Sequence, residues 1–185
     1  LGQNSLAYNN TADDNIAIGQ YASHRTGQFK AATNTISIGI KAGYYNQGSN
    51  NVFMGYYAGH GSSANAMSPG INNVGLGSSA LQSFRSGSQN TAVGRSALLS
   101  NIDGSDSTAI GQEAGAYTTG SYNTFVGSKA GQGVNSYPVY SSGQYNVAMG
   151  FETLDAFTTG HTNTAVGSQA GSAVTTGYGN TYLGF

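Results

Sequence analysis

The side chains best suited to recognition chemistry gather in and around three stretches of this 185-residue sequence. The first is His24-Arg25-Thr26-Gly27-Gln28-Phe29-Lys30-Ala31, the second runs from His60 to Pro69, and the third runs from Gln132 to Ser142 and contains Tyr137-Pro138-Val139-Tyr140. Tyrosine faces stack on sugar rings, and short polar side chains supply the hydrogen bonds around them. The candidate ligand-binding residues are therefore His24, Arg25, Phe29, Tyr44, Tyr45, Tyr56, Tyr57, His60, Asn65, Tyr137 and Tyr140. The ligand they suggest is a cell-surface glycan or protein. The same stretches also read as neutral surface loops, because closing a longer loop costs little. The tyrosines equally read as packing between chains.

Other chemistries find little support. Carboxylates are few and scattered, and there is no Gly-x-Ser-x-Gly elbow and no phosphate loop, so the chain is read as a non-enzyme without a cofactor. Asn101-Ile102-Asp103-Gly104-Ser105-Asp106 offers oxygen ligands at alternate positions, as calcium requires. Two carboxylates without a third acid favour a solvated turn there, and Asp13-Asp14 is a weaker version. His24, His60 and His161 lie in separate parts of the chain with no metal-ligand spacing, and no metal site is assigned. The absence of cysteine rules out a disulfide framework or a thiolate site. Charged residues are only 7% with a net charge of −1, which leaves no basic face for nucleic acid. No apolar run reaches the length of a membrane span and no signal peptide is present, so membrane contact by this segment is not expected.

What must position the candidate residues is a repeat. The phrase Asn163-Thr164-Ala165-Val166-Gly167 recurs in ten full copies, from Asn15-Ile16-Ala17-Ile18-Gly19 to Asn180-Thr181-Tyr182-Leu183-Gly184. Its anchor glycines fall at 2, 19, 39, 55, 77, 94, 111, 127, 150, 167 and 184. The spacing is 16 or 17 residues except for intervals of 20, 22 and 23, and these three long intervals hold the three stretches above. A period this short marks a solenoid, and insertions at one repeat position map to one edge of it. Both prolines lie in the insertions, away from any strand ladder. The expected organisation is a single all-β domain over 1–185, of about ten coils, belonging to a longer fibre protein.

Counting from the anchor glycine as zero, position −1 is Ile, Val, Leu or Met and position −3 is Thr, Val or Ile, alternating with a −2 that is Ala, Ser, Gly, Phe or Tyr. Period-two alternation with β-branched enrichment predicts a short strand. The −1 and −3 side chains are expected inward. The −2 column, with Phe53, Phe125 and Tyr182, is then expected outside, against solvent or a neighbouring chain. Positions +1 to +4, with Ala at +3 and Gly or Leu at +4, predict a second short strand or extended segment. Glycines at −7, from Gly48 to Gly177, are expected at positive φ in turns. Asn at −4, in eight of ten copies, predicts a ladder of amides from coil to coil. Coils about 4.8 Å apart would make a rod roughly 48 Å long.

The phrase N-[ST]-x-[VI]-G-x-x-[AS] resembles the head repeats of trimeric autotransporter adhesins, the YadA-like head, and the related repeats of trimeric phage and bacterial fibres. The resemblance covers essentially the whole chain. It implies a left-handed parallel β-roll, a homotrimer, and an extracellular place on an outer-membrane-anchored or virion fibre that mediates attachment. Departures are the coil length, about 14 residues in the usual head repeat, and the lack of a heptad stalk or membrane-anchor strands. A purely structural spacer and an ice-binding solenoid are the alternatives. The interchange of Thr with Val and Ile at −3 reads as burial and weighs against ice binding.

Overall fold

A computed structural model describes residues 2–7, 13–24, 32–62, 68–136 and 140–185. Each full copy of the phrase forms a three-residue strand: β1 (Ile16–Ile18), β2 (Ile36–Ile38), β3 (Val52–Met54), β4 (Val74–Leu76), β5 (Thr91–Val93), β6 (Thr108–Ile110), β7 (Thr124–Val126), β8 (Val147–Met149), β9 (Thr164–Val166) and β10 (Thr181–Leu183). They pair in chain order as one parallel ten-stranded sheet. The register keeps every repeat position in column, for example Thr91↔Thr108 and Ala92↔Ala109. The molecule is an all-β parallel solenoid of about nine turns. Among the described residues no helix is long and apolar enough to cross a membrane.

The inside and outside of the strands are the reverse of the expectation. Position −2 is the interior column: Ser37, Phe53, Ala92, Ala109, Phe125, Ala148 and Ala165 have no exposed surface. The −1 and −3 side chains point out, with Ile18, Met54, Ile110 and Met149 each more than 40% exposed. Alternation divides a strand into two faces without saying which is inner. A coil this narrow has room inside for Ala or one ring, not for two large β-branched columns.

Positions +1 to +4 form no strand. Residues +2 and +4 are left-handed, from φ 46° at Ser23 to 64° at Gly171. The +2 amide bonds back to the preceding coil (Lys129 N–H to Gln112 O, 2.8 Å) and the +4 amide bonds forward (Leu98 N–H to Ala114 O, 3.0 Å). This segment is thus hydrogen-bonded on both sides as a chain of turns. The interior volume is shared across the coil. Leu81, Leu98 and Leu154 at +4 accompany Gly75, Ala92 and Ala148 at −2, whereas Gly59 and Gly131 accompany Phe53 and Phe125. Phe84 and Phe157 at +7 complete the core, with ring centroids 5.2 Å from Phe53 and 5.8 Å from Phe125.

The two glycine columns have different causes. Anchor glycines from Gly19 to Gly167 sit at φ 126° to 138°, and a Cβ there would also fall 2.0–2.6 Å from the next anchor's carbonyl oxygen. The −7 glycines are not at positive φ, contrary to expectation. They are required because coils approach too closely for a side chain: a Cβ on Gly120 would lie 1.9 Å from Gly143 O. The Asn ladder is present and buried. Asn146 Nδ2 donates to Gly160 O (2.9 Å), and Asn146 Oδ1 accepts from the backbone N–H of Asn163 (3.0 Å). The amides therefore satisfy backbone groups of adjacent coils as well as one another.

Candidate functional site

The turn after each anchor carries columns +2, +5 and +6 to one edge of the solenoid, and the sequence-predicted candidates on the first coils meet there. His24, Tyr44 and His60 all occupy +5 and stack in sequence, with centroids 5.0 and 5.2 Å apart and planes within 10°. Tyr57 stacks on His60 from +2 at 4.8 Å. Tyr45 meets Tyr44 edge-on at 4.6 Å and His60 at 5.2 Å. Tyr21, a residue outside the candidate set, meets His24 edge-on at 5.1 Å. Lys41 Nζ donates to Tyr57 Oη at 2.7 Å and lies 5.0 Å from that ring's centroid. Tyr56 is 55% exposed beside Tyr57. One half-buried aromatic surface thus spans three coils, with rings separated by about one coil spacing.

Its electrostatics are set by burial and by Lys41. Loss of water pushes the His60 imidazole below its ordinary pKa, the Gly61 carbonyl opposes that, and the Lys41 charge adds to it. The Lys41 ammonium is held above its usual range, chiefly by its hydrogen bond to Tyr57. Within the cluster burial thus favours the neutral imidazole of His60, and the hydrogen bond to Tyr57 favours the charged form of Lys41. His24 and His60 are separated by the Tyr44 ring and do not converge on a shared ligand position. No group of three metal-ligating side chains exists among the described residues. Asp103 of the calcium-like stretch is engaged by Arg85 (2.6 Å) and by Ser86, so this stretch is an ion-paired turn.

Tyr140, the other described candidate, does not join this cluster. Tyr140 precedes β8, four strands beyond the β4 that follows His60, and its ring lies parallel to Tyr117 at 6.4 Å. Arg25, Phe29, Asn65 and Tyr137 lie outside the described residues. Two features lie outside the set of candidate residues. Tyr122 and Tyr145 stack at 4.8 Å on the −5 column, both about half exposed. A groove of about 530 Å³ opens beside the third inserted stretch, lined by Tyr117, Gln132, Asn135, Asp155, Thr158 and Thr175 among others. Aligning coils by anchor glycine would have flagged it, because Asp155 and Gln132 share column +5 with His24, Tyr44 and His60.

No family model, no curated protein and no solved structure matches this chain.

Proposed function

We propose that this chain is a head or shaft segment of a homotrimeric surface fibre, a left-handed β-roll of the trimeric autotransporter adhesin type. In this reading it stands outside the cell or virion and attaches to a host or prey surface by binding a glycan or protein at its inserted loops. The observation that carries the reading is the outward turn of the −1 and −3 columns. Ile18, Met54, Ile110, Met149 and Val166 lie 38–44% exposed in one line down the sheet. Nine steps of about 4.8 Å make that strip about 43 Å long. A contiguous apolar strip of this kind marks an association surface, and copies of one chain cover it symmetrically.

The test is the mass in solution with and without Ile110→Lys and Met149→Lys, both at exposed positions that a single chain tolerates. Three chains for the parent and one for the double variant, at unchanged β content, support the proposal. One chain for the parent overturns trimerisation. Attachment is tested on the trimer with a printed glycan array and a cell-binding assay. No binding, together with unchanged attachment by the parent fibre after trimming all three loops, leaves the segment as a spacer.

A second reading gains from the same inversion. Thr91, Thr108, Thr124, Thr164 and Thr181 at −3 face outward instead of being buried. Regular rows of Thr beside Val, Ile or Leu on a flat sheet suit an ice-binding surface. Thermal hysteresis in the parent chain, whose strand face is intact, would favour it, and its absence removes it.

A further inference from the structure

The groove beside the third inserted stretch has a composition that the aromatic cluster lacks. Its lining includes Tyr117, Gln132, Asn135, Asp155, Thr158 and Thr175. A volume of about 530 Å³ falls within the range of small-ligand sites. It crosses four successive coils, those preceding β7, β8, β9 and β10, so its length is about three steps of 4.8 Å. This is room for two or three sugar rings in line. Its floor is well fixed: Gly133 N–H donates to Asp155 O (3.0 Å), Tyr117 N–H to Gln132 O (2.8 Å), and Thr158 N–H to Thr175 O (2.8 Å).

We infer that this groove binds a neutral oligosaccharide, with Tyr117 as the stacking wall and Asp155 as the acceptor for adjacent ring hydroxyls. This rests on the attachment reading above and assigns it a site and a ligand class. An aromatic face offers negative charge density to the polarised C–H bonds of a sugar ring. An ionised carboxylate only accepts, and each of its oxygens takes a hydroxyl proton, so it discriminates in favour of vicinal diols. The amides of Gln132 and Asn135 both donate and accept, which suits hydroxyls of either orientation. Gln132 is held from outside the groove, where its Nε2 donates to Glu113 Oε2 at 2.9 Å.

Charge sets the selectivity. No lysine or arginine lines the groove, whereas Asp155 does. Burial, reinforced by Glu152, raises the Asp155 carboxyl above its ordinary value, with its own amide, the Lys129 charge and the Ala156 amide opposing. That carboxylate repels uronic and sialic acids and leaves uncharged sugars favoured.

The experiment is a titration, by ligand-detected NMR and calorimetry, of the full chain with maltotriose, cellotriose, mannotriose, chitotriose and 3′-sialyllactose. At least one neutral trisaccharide is expected to bind, and more tightly than its own monosaccharide. Asp155→Asn is expected to weaken it by about 10-fold, and Tyr117→Ala by at least as much. Asp103→Asn, on a carboxylate already paired with Arg85, is expected to leave binding unchanged. Circular dichroism melting confirms that each variant folds, and the near-isosteric Asp155→Asn keeps the test valid if Tyr117→Ala does not. Neutral binding that survives Asp155→Asn, or preference for sialyllactose, overturns the groove assignment while leaving attachment intact. No binding of any trisaccharide with continued cell attachment overturns the glycan class alone. No binding and no attachment overturn both readings.

Discussion

The rule that governs the core is a complementarity of size between −2 and +4 within a coil, and it predicts a rescue. Gly131 has φ 54°, and a Cβ there would lie 2.2 Å from Cδ1 and Cε1 of Phe125. Leu81, Leu98 and Leu154 occupy the same column with φ 51°, 48° and 49°, so the backbone accepts leucine wherever the −2 side chain is small. Coils with neither a ring nor a leucine have their space taken by neighbours. A Cβ at Gly115 would lie 2.7 Å from Phe125 Cδ2 and 2.8 Å from Leu98 Cδ2. Removing the fully buried Phe125 ring by Phe125→Ala should therefore destabilise by about 3–5 kcal/mol. Gly131→Leu alone forces a side chain into the ring, for about 1–3 kcal/mol of overpacking and about 1–2 kcal/mol for leucine in the left-handed region.

The double variant rebuilds the Ala92–Leu98 arrangement. What remains is the left-handed term and the part of the ring's volume that leucine does not replace, including the space over Gly115, on the order of 2–4 kcal/mol together. Additivity would give about 5–10 kcal/mol, so a favourable coupling of roughly 3–6 kcal/mol is expected, well above the ~0.5 kcal/mol scatter of independent sites. Equilibrium denaturation of the four proteins measures it, at one protein concentration and one assembly state because association shifts apparent stability. A coupling within that scatter would refute the complementarity.

Three further outcomes follow from particular residues. Gly94→Ala meets both a φ of 134° and a carbonyl oxygen 2.4 Å from the new Cβ, whereas Gly179 at φ 66° has nothing within 4 Å. Thermal melting should therefore show a loss of more than about 3 kcal/mol for Gly94→Ala and about 1 kcal/mol for Gly179→Ala. Asn101 is buried at +7, where Phe84 and Phe157 stand in other coils, and neither polar atom of its side chain has a hydrogen-bond partner; Asn101→Leu should raise stability by about 1–3 kcal/mol in urea denaturation. His60 has a folded pKa below its unfolded one. The unfolded chain then binds more protons, so stability is full above the ordinary value near 6.5 and falls as pH drops through it towards the folded pKa; His60→Gln should flatten the melting temperature between pH 7 and 5 relative to the parent.

The repeat, the strand at each phrase, the parallel register and the Asn ladder were legible because each is a local pattern repeated in phase. The orientation of the strand was not. The usual guide places large apolar residues inside, and it fails in a coil whose interior is one side chain wide. The decisive clue lay in two columns together: Phe at −2 goes with Gly at +4, and Leu at +4 goes with Gly or Ala at −2. Only residues that share a volume trade size in this way, whereas the large −1 column has no such partner. The −7 glycines were misread for a related reason, since a glycine in sequence does not distinguish a required φ from a required approach. The aromatic stack at His24, Tyr44 and His60 was foreseeable as a neighbourhood. Asp155 went unnoticed because a lone carboxylate carries no motif and acquires neighbours only when the coils are aligned.

Alignment also separates the two roles proposed for the chain. In the proposed reading association would use columns −1 and −3, and recognition would use +5, +6 and +8, which the turn at +1 to +4 carries away from the sheet. The +5 column changes character along the axis, from His24, Tyr44 and His60 to Gln132 and Asp155, while −1 remains Ile, Val, Leu or Met throughout. A column that must match another copy at every level stays uniform. A column that meets a ligand at one level can differ from coil to coil without disturbing the stack. Under the proposed function the uniform columns would serve assembly, and the chemical individuality of the turn edge and its inserted stretches would serve recognition.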